Sequence, residues 1–149
     1  MTITAARVRP TATARRWGYV VAVIVNAIVF YAANVWPGWQ ALPFVTADMA
    51  LVIGFVNASI LASLAANVVY LVSDPPWVKA LGDLLTSTVG LVAAVRMWQV
   101  FPFDFAAGAF DWAPVVRVLL LLCIVGGAIA IVVAVARFFR SSQNQPDMR

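Results

Sequence analysis

Residues Arg96–Arg117 read RMWQVFPFDFAAGAFDWAPVVR. The stretch is an aromatic, proline-punctuated turn with Asp104 and Asp111 inside it and one arginine at each edge. Long apolar runs flank it on both sides. It reads as an extracytoplasmic hairpin between two membrane-spanning helices, with Arg96 and Arg117 just inside the hydrocarbon. The rest of the chain follows from that reading.

The composition agrees. The chain has 149 residues, of which 64% are hydrophobic and 11% charged. A soluble domain carries about 25% charged residues. The mean hydropathy is +0.94, and several apolar runs reach the roughly 20 residues that a helix needs to cross a bilayer. The net charge of +4 does not indicate nucleic-acid binding, because most of the basic residues sit near the chain ends rather than along one face or stripe. Absences narrow the chemistry further. The chain has no His and no Glu, and its one cysteine is Cys123. Imidazole metal sites, histidine general bases, an intrachain disulfide and multi-cysteine clusters are therefore ruled out.

Working outward from the hairpin gives four spans. The span before it covers about 77–101 and the span after it about 112–139. Upstream, about 48–72 forms the second span and about 17–35 the first. Asp48 or Thr46 is placed to cap the second span, and Pro37-Gly38 stops the first. Residues 73–76 (SDPP) leave so short a connection that spans two and three must be antiparallel neighbours. Residues 1–16 form a basic tail with Arg7, Arg9, Arg15 and Arg16, and residues 140–149 form a polar tail. Arg15-Arg16 ahead of an apolar run resembles a secretory signal. A cut after Ala33 would place Tyr31 at a position that requires a small residue, so the first span is read as retained.

Basic residues orient the chain. They occupy the N-terminal tail, Lys79 beside the second connection, and Arg137, Arg140 and Arg149 at the C-terminal end, while the first and third connections carry none. Both termini are therefore expected in the cytoplasm. Trp17, Tyr70 and Trp77 then mark the inner interface, and Trp36, Trp39, Trp98 and Trp112 the outer one. Gly54, Ala58, Ala62 and Ala66 recur every four residues on span two, as do Gly82, Thr86, Gly90 and Ala94 on span three. Such small ridges let membrane helices approach closely, within one chain or between chains. The V-W-P and V-F-P starts of the two outer loops hint at a parallel repeat of two hairpins. Pro, aromatics and Asp are nevertheless common at outer helix ends.

Arg96 and Arg117 are the candidate site. At about 1.5 Å per residue both lie roughly 7 Å below the surface. They repel each other unless an anion lies between them, and Asp48, Asp104 and Asp111 are the candidate partners in the chain. Two readings stand side by side. In one, each guanidinium reaches the interface alone. In the other, the two forks grip a small anion or an anionic lipid headgroup. Asn26 and Asn57, each near mid-span, are expected to bond to one another across the helices. Asp83, four residues after Lys79, is expected to pair with it locally. Asn67, Tyr70 and Asp74 make a looser polar group. Cys123 is expected to be a buried small apolar residue.

The expectation is thus an all-α membrane protein: a four-transmembrane-helix bundle in a bacterial cell (plasma) membrane, with both termini cytoplasmic. Neither a cofactor nor a metal is expected. No nucleophile has a neighbouring base, so catalysis is not expected either. The leading role is an accessory or assembly subunit whose partners are the bilayer and another membrane protein, or a second copy of the chain. The rival is a carrier or binding protein for an anionic lipid or small anion.

Overall fold

A computed structural model of the chain describes residues 12–143 apart from Asp74, Ala107 and Ala109. Four α-helices organise these residues: α1 (Ala12–Asn34), α2 (Ile53–Val72), α3 (Pro76–Val100) and α4 (Ala113–Gln143). All four are long and apolar enough to cross a membrane. The rest of the N-terminal tail, Asp74 and residues 144–149 lie outside the described residues.

Each helix boundary has a local cause. α1 begins five residues ahead of the expected Trp17 and takes in Arg15 and Arg16. Alanine and arginine are both strong helix formers, so part of the basic tail winds onto the span. α1 ends at Asn34, and the chain turns away at Gly38, whose φ of 79° suits glycine and whose N–H reaches back to the Ala32 carbonyl at 2.9 Å. α2 starts at Ile53 rather than at Asp48. Residues Ala47–Leu51 wind as a tighter 3-10 turn that contains Asp48. Thr46 precedes that turn without capping it through its side chain. α2 ends at Ser73, which turns extended ahead of Pro75 and Pro76. Pro76 then opens α3, where its missing N–H costs nothing. α3 closes on Phe101 in the left-handed region, with φ 46° and ψ 64°. α4 runs four residues past the expected Phe139.

The helices pack in chain order. α1 lies against α2, α2 against α3 and α3 against α4, the last being the most extensive interface. Neither α3 nor α4 makes a comparable interface with α1 among the described residues. Burial follows that layout. Ile60 and Tyr70 are buried on α2, Ala80 and Ala93 on α3, and Ala134 on α4. Three of these five are alanines, as expected where helix backbones approach closely. Large apolar side chains elsewhere face outward: Ile28 of α1 and Leu122 of α4 are 60% and 62% exposed. Cys123 is also exposed, so the expectation that it would be buried fails. It shares the outward face with Leu119 and Leu122.

The two small ridges meet only in part. Ala62 and Ala66 of α2 line one groove with Gly82 of α3, and Gly82 lies directly under the Tyr70 ring. At Gly54 and Gly90 there is open space where a Cβ would stand. Gly127 of α4 instead takes the Leu91 side chain.

Candidate functional site

The α1–α2 and α3–α4 loops lie together at one end of the molecule, and a short antiparallel contact joins them. The Thr46 N–H donates to the Pro102 carbonyl at 3.0 Å, and the Asp104 N–H donates to the Phe44 carbonyl at 2.9 Å. Val45 and Phe103 face each other across the contact. The side chains reinforce it. Phe105 stacks on Phe44 at 5.6 Å and on Phe103 at 6.0 Å between centroids. Pro102 and Val52 are fully buried at this end. Phe103 and Phe105, two residues apart where the chain pairs with the other loop, send their rings the same way and stack.

Around this framework Arg96 and Arg117 lie against different rings. The Arg117 guanidinium carbon lies 4.0 Å from the Phe101 ring centroid and 5.5 Å from that of Trp98. The left-handed backbone of Phe101 is strained for a residue other than glycine, and its ring is the closest aromatic face to that cation. Arg96 turns towards α2, with its guanidinium carbon 5.1 Å from the Phe55 centroid. Its Nη1 donates to Gln99 Oε1 at 3.3 Å. Among the described residues no ion pair links either arginine to Asp48, Asp104 or Asp111. Asp104 and Asp111 are occupied locally: Asp104 accepts the Ala106 N–H at 2.9 Å and Asp111 the Ala113 N–H at 2.9 Å. Both are Asx turns, in which a carboxylate stands in for a backbone carbonyl. The charges of the hairpin are therefore balanced by rings and turns rather than by one another.

The expected Asn26–Asn57 bond is replaced by a different pair. Asn57 Nδ2 donates to Asn34 Oδ1 at 2.7 Å, and Asn34 Nδ2 donates to Asn57 Oδ1 at 2.8 Å. Asn26 donates to the Ala22 carbonyl of its own helix at 2.7 Å. The later start of α2 explains the exchange. It puts Asn57 within the first turn and a half of α2, level with the end of α1 rather than with its middle.

The opposite end, where α2 turns into α3, holds a cluster drawn from all four helices. Tyr70 of α2, 5% exposed, places its hydroxyl 3.1 Å from both the Lys79 carbonyl and Asp83 Oδ1. Lys79 Nζ reaches the same Asp83 oxygen at 3.3 Å, which is the local pair expected from the i,i+4 spacing. Arg137 of α4 approaches Asp83 Oδ2 at 4.0 Å. Tyr19 of α1 packs on Tyr70 with centroids 5.4 Å apart, and Lys79 Nζ lies 4.8 Å from the Tyr70 centroid. Gly82 makes the arrangement fit, since a Cβ there would run into the Tyr70 hydroxyl and ring. One carboxylate thus serves a phenol, an ammonium and a guanidinium. Only the Lys79–Asp83 step was legible in the sequence. A usable signal for Tyr70 was its position just before a three-residue turn, which sets it level with the first turns of α3.

Four cavities have described linings. One, about 380 Å³, is almost wholly apolar and lies between α1, its following loop, α2 and the end of α3, with Ile28, Met49 and Met97 in its wall. One of about 230 Å³ is the α2–α3 groove above Tyr70 and Gly82. Two lie in the α3–α4 loop: one, about 360 Å³, is lined by aromatic rings and Asp104, and the other, about 400 Å³, by Asp104 and Asp111. Arg96, Arg117 and Asn57 line none of the four. Among the described residues no three His, Cys, Asp or Glu side chains gather as a metal set would.

The architecture defines a class: an all-helical chain with four helices apolar and long enough to span a membrane, joined in sequence and tied at both ends. Comparison with protein families, with curated proteins and with solved structures found no match to this chain.

Proposed function

We propose that the chain is a multi-pass protein of a bacterial plasma membrane and a non-catalytic accessory or assembly subunit of a membrane complex. In this reading the two long loops face outward, while the α2–α3 turn and both termini face the cytoplasm, in keeping with the distribution of basic residues. The observation that carries the role is the fate of the two arginines. Each lies against aromatic rings of its own fold, and neither lines a described cavity. A carrier for anions built on them would need both to converge on one enclosed space. The open, chain-order packing of the helices adds support, because it leaves broad apolar faces on α1 and α4 to meet lipid or a neighbouring helix.

Affinity purification in a mild maltoside detergent tests the role. A protein recovered with the chain at fixed stoichiometry, and lost when Ile28 and Val25 or Leu119 and Leu122 are changed to alanine, is the expected result. Enrichment of an anionic lipid with no accompanying protein, abolished by Arg96→Ala and Arg117→Ala, would instead establish the anion-binding role.

A further inference from the structure

The α3–α4 loop carries a second chemistry, opposite in sign to the one its flanking arginines suggest. Its cavity of about 360 Å³ falls in the size range of small-ligand pockets, about 300–1,000 Å³. Phe44, Phe105, Phe110 and Trp112 line it together with Asp104. The rings form two pairs: Phe44 stacks on Phe105 with an interplanar angle of 20°, and Phe110 meets Trp112 edge to face at 73° and 5.1 Å. Asp104 and Phe105 also line the adjoining cavity of about 400 Å³, which includes Asp111. Aromatic faces gathered round a carboxylate attract a cation, because the ring quadrupole is negative over the face. A bare metal ion would seek a shell of oxygens, and this lining offers mostly carbon. An alkylammonium ion suits it, since its charge is spread over methyl or methylene groups that lie well against rings. The connections on this end carry Asp48, Asp104 and Asp111, and the two arginines at the neighbouring helix ends lie on Phe55, Trp98 and Phe101 rather than in the lining of this pocket.

We propose that the aromatic pocket formed by Phe44, Asp104, Phe105, Phe110 and Trp112 binds an organic ammonium ion, either as a free solute or as the headgroup of a membrane lipid. The rings supply the cage and Asp104 the counter-charge. One Asp104 oxygen is already held by the Ala106 N–H, which fixes the carboxylate in place. The site does not depend on the accessory role, and either can fail without the other.

The test uses the full chain in nanodiscs of phosphatidylglycerol, with choline chloride as the probe and saturation-transfer NMR as the readout. Its neutral isostere, 3,3-dimethyl-1-butanol, is the control. Saturable choline binding at millimolar or lower concentration, at least tenfold tighter than the isostere, is expected. Asp104→Asn keeps an oxygen for the Ala106 N–H and removes the charge, so it should weaken choline at least fivefold and leave the isostere unchanged. Trp112→Leu should weaken choline by a similar factor. Repeating the titration in phosphatidylcholine discs separates the two sources. Binding lost there identifies the lipid headgroup as an occupant, and binding retained identifies a free solute; both support the site. Equal response to choline and the isostere, unchanged affinity in Asp104→Asn, or no saturable binding in phosphatidylglycerol discs would overturn the proposal.

Discussion

The two ends of this molecule solve the same problem by different means. Each must hold cations next to long apolar helices. At the turn end, Lys79 and Arg137 converge on one carboxylate, and the Tyr70 hydroxyl reaches the same group. At the loop end, Arg96 and Arg117 lie separately on aromatic faces while the nearby carboxylates cap turns. The first is a shared knot and the second a set of independent contacts. A knot fails as a unit, whereas independent contacts fail one at a time.

Mutations can break that contrast. Asp83→Ala should have the largest effect, because it strips the common acceptor from three partners; about 2–3 kcal/mol is expected for a charged hydrogen-bonding group lost from a partly buried site. Thermal unfolding in detergent should show it, with Tyr70→Phe costing less, about 1 kcal/mol, since it removes one hydroxyl. Gly82→Ala should come next. Its added methyl collides with the Tyr70 ring, and overpacking of this kind costs about 1–3 kcal/mol. If Gly82→Ala is destabilising in the parent but neutral beside Tyr70→Ala, the collision is the cause.

The Asn34–Asn57 pair sharpens the comparison from the other end. A double-mutant cycle with Asn34→Leu and Asn57→Leu should give a coupling of about 0.5–2 kcal/mol, whereas Asn26 and Asn57 should show none. The smallest effects should come from Arg117→Ala and Arg96→Ala. Arg96→Ala removes one cation–ring contact and Arg117→Ala two, each contact worth about 0.5–2 kcal/mol, and the two changes should be additive. Additivity within 0.5 kcal/mol or so, the usual limit for independent sites, fits separate contacts. A clear coupling would mean that the arginines share a ligand after all.

Much of the fold was legible because apolar length and helix punctuation are local. Pro75-Pro76, Pro37-Gly38 and the spacing of Lys79 and Asp83 each act within a few residues. What the sequence hid was register. Thr46 and Asp48 look like a helix start, yet Ala47–Leu51 takes a tighter winding first, and that shift exchanged Asn26 for Asn34 as the partner of Asn57. The turn-end knot was hidden for a related reason. Arg137 is remote in the chain from Asp83, and only the packing of α4 on α3 brings the two together. At the hairpin, the sequence marked an aromatic, proline-punctuated turn, but nothing local indicated that Phe101 would turn left-handed and offer its ring to Arg117.

The chain-order arrangement of the helices carries a consequence for how the protein is made. Each helix after the first finds a packing partner in the helix synthesised immediately before it, so α2 has α1 and α3 has α2 as soon as it emerges. Contacts between near neighbours in sequence form quickly because little chain has to be closed into a loop. The contact between Val45 and Phe103 departs from that order, spanning two whole helices. It should form late and act as a latch on an array already laid down. Chains cut off after Val72 should therefore still yield a paired α1–α2 hairpin, seen as protease-protected material when synthesis is arrested there.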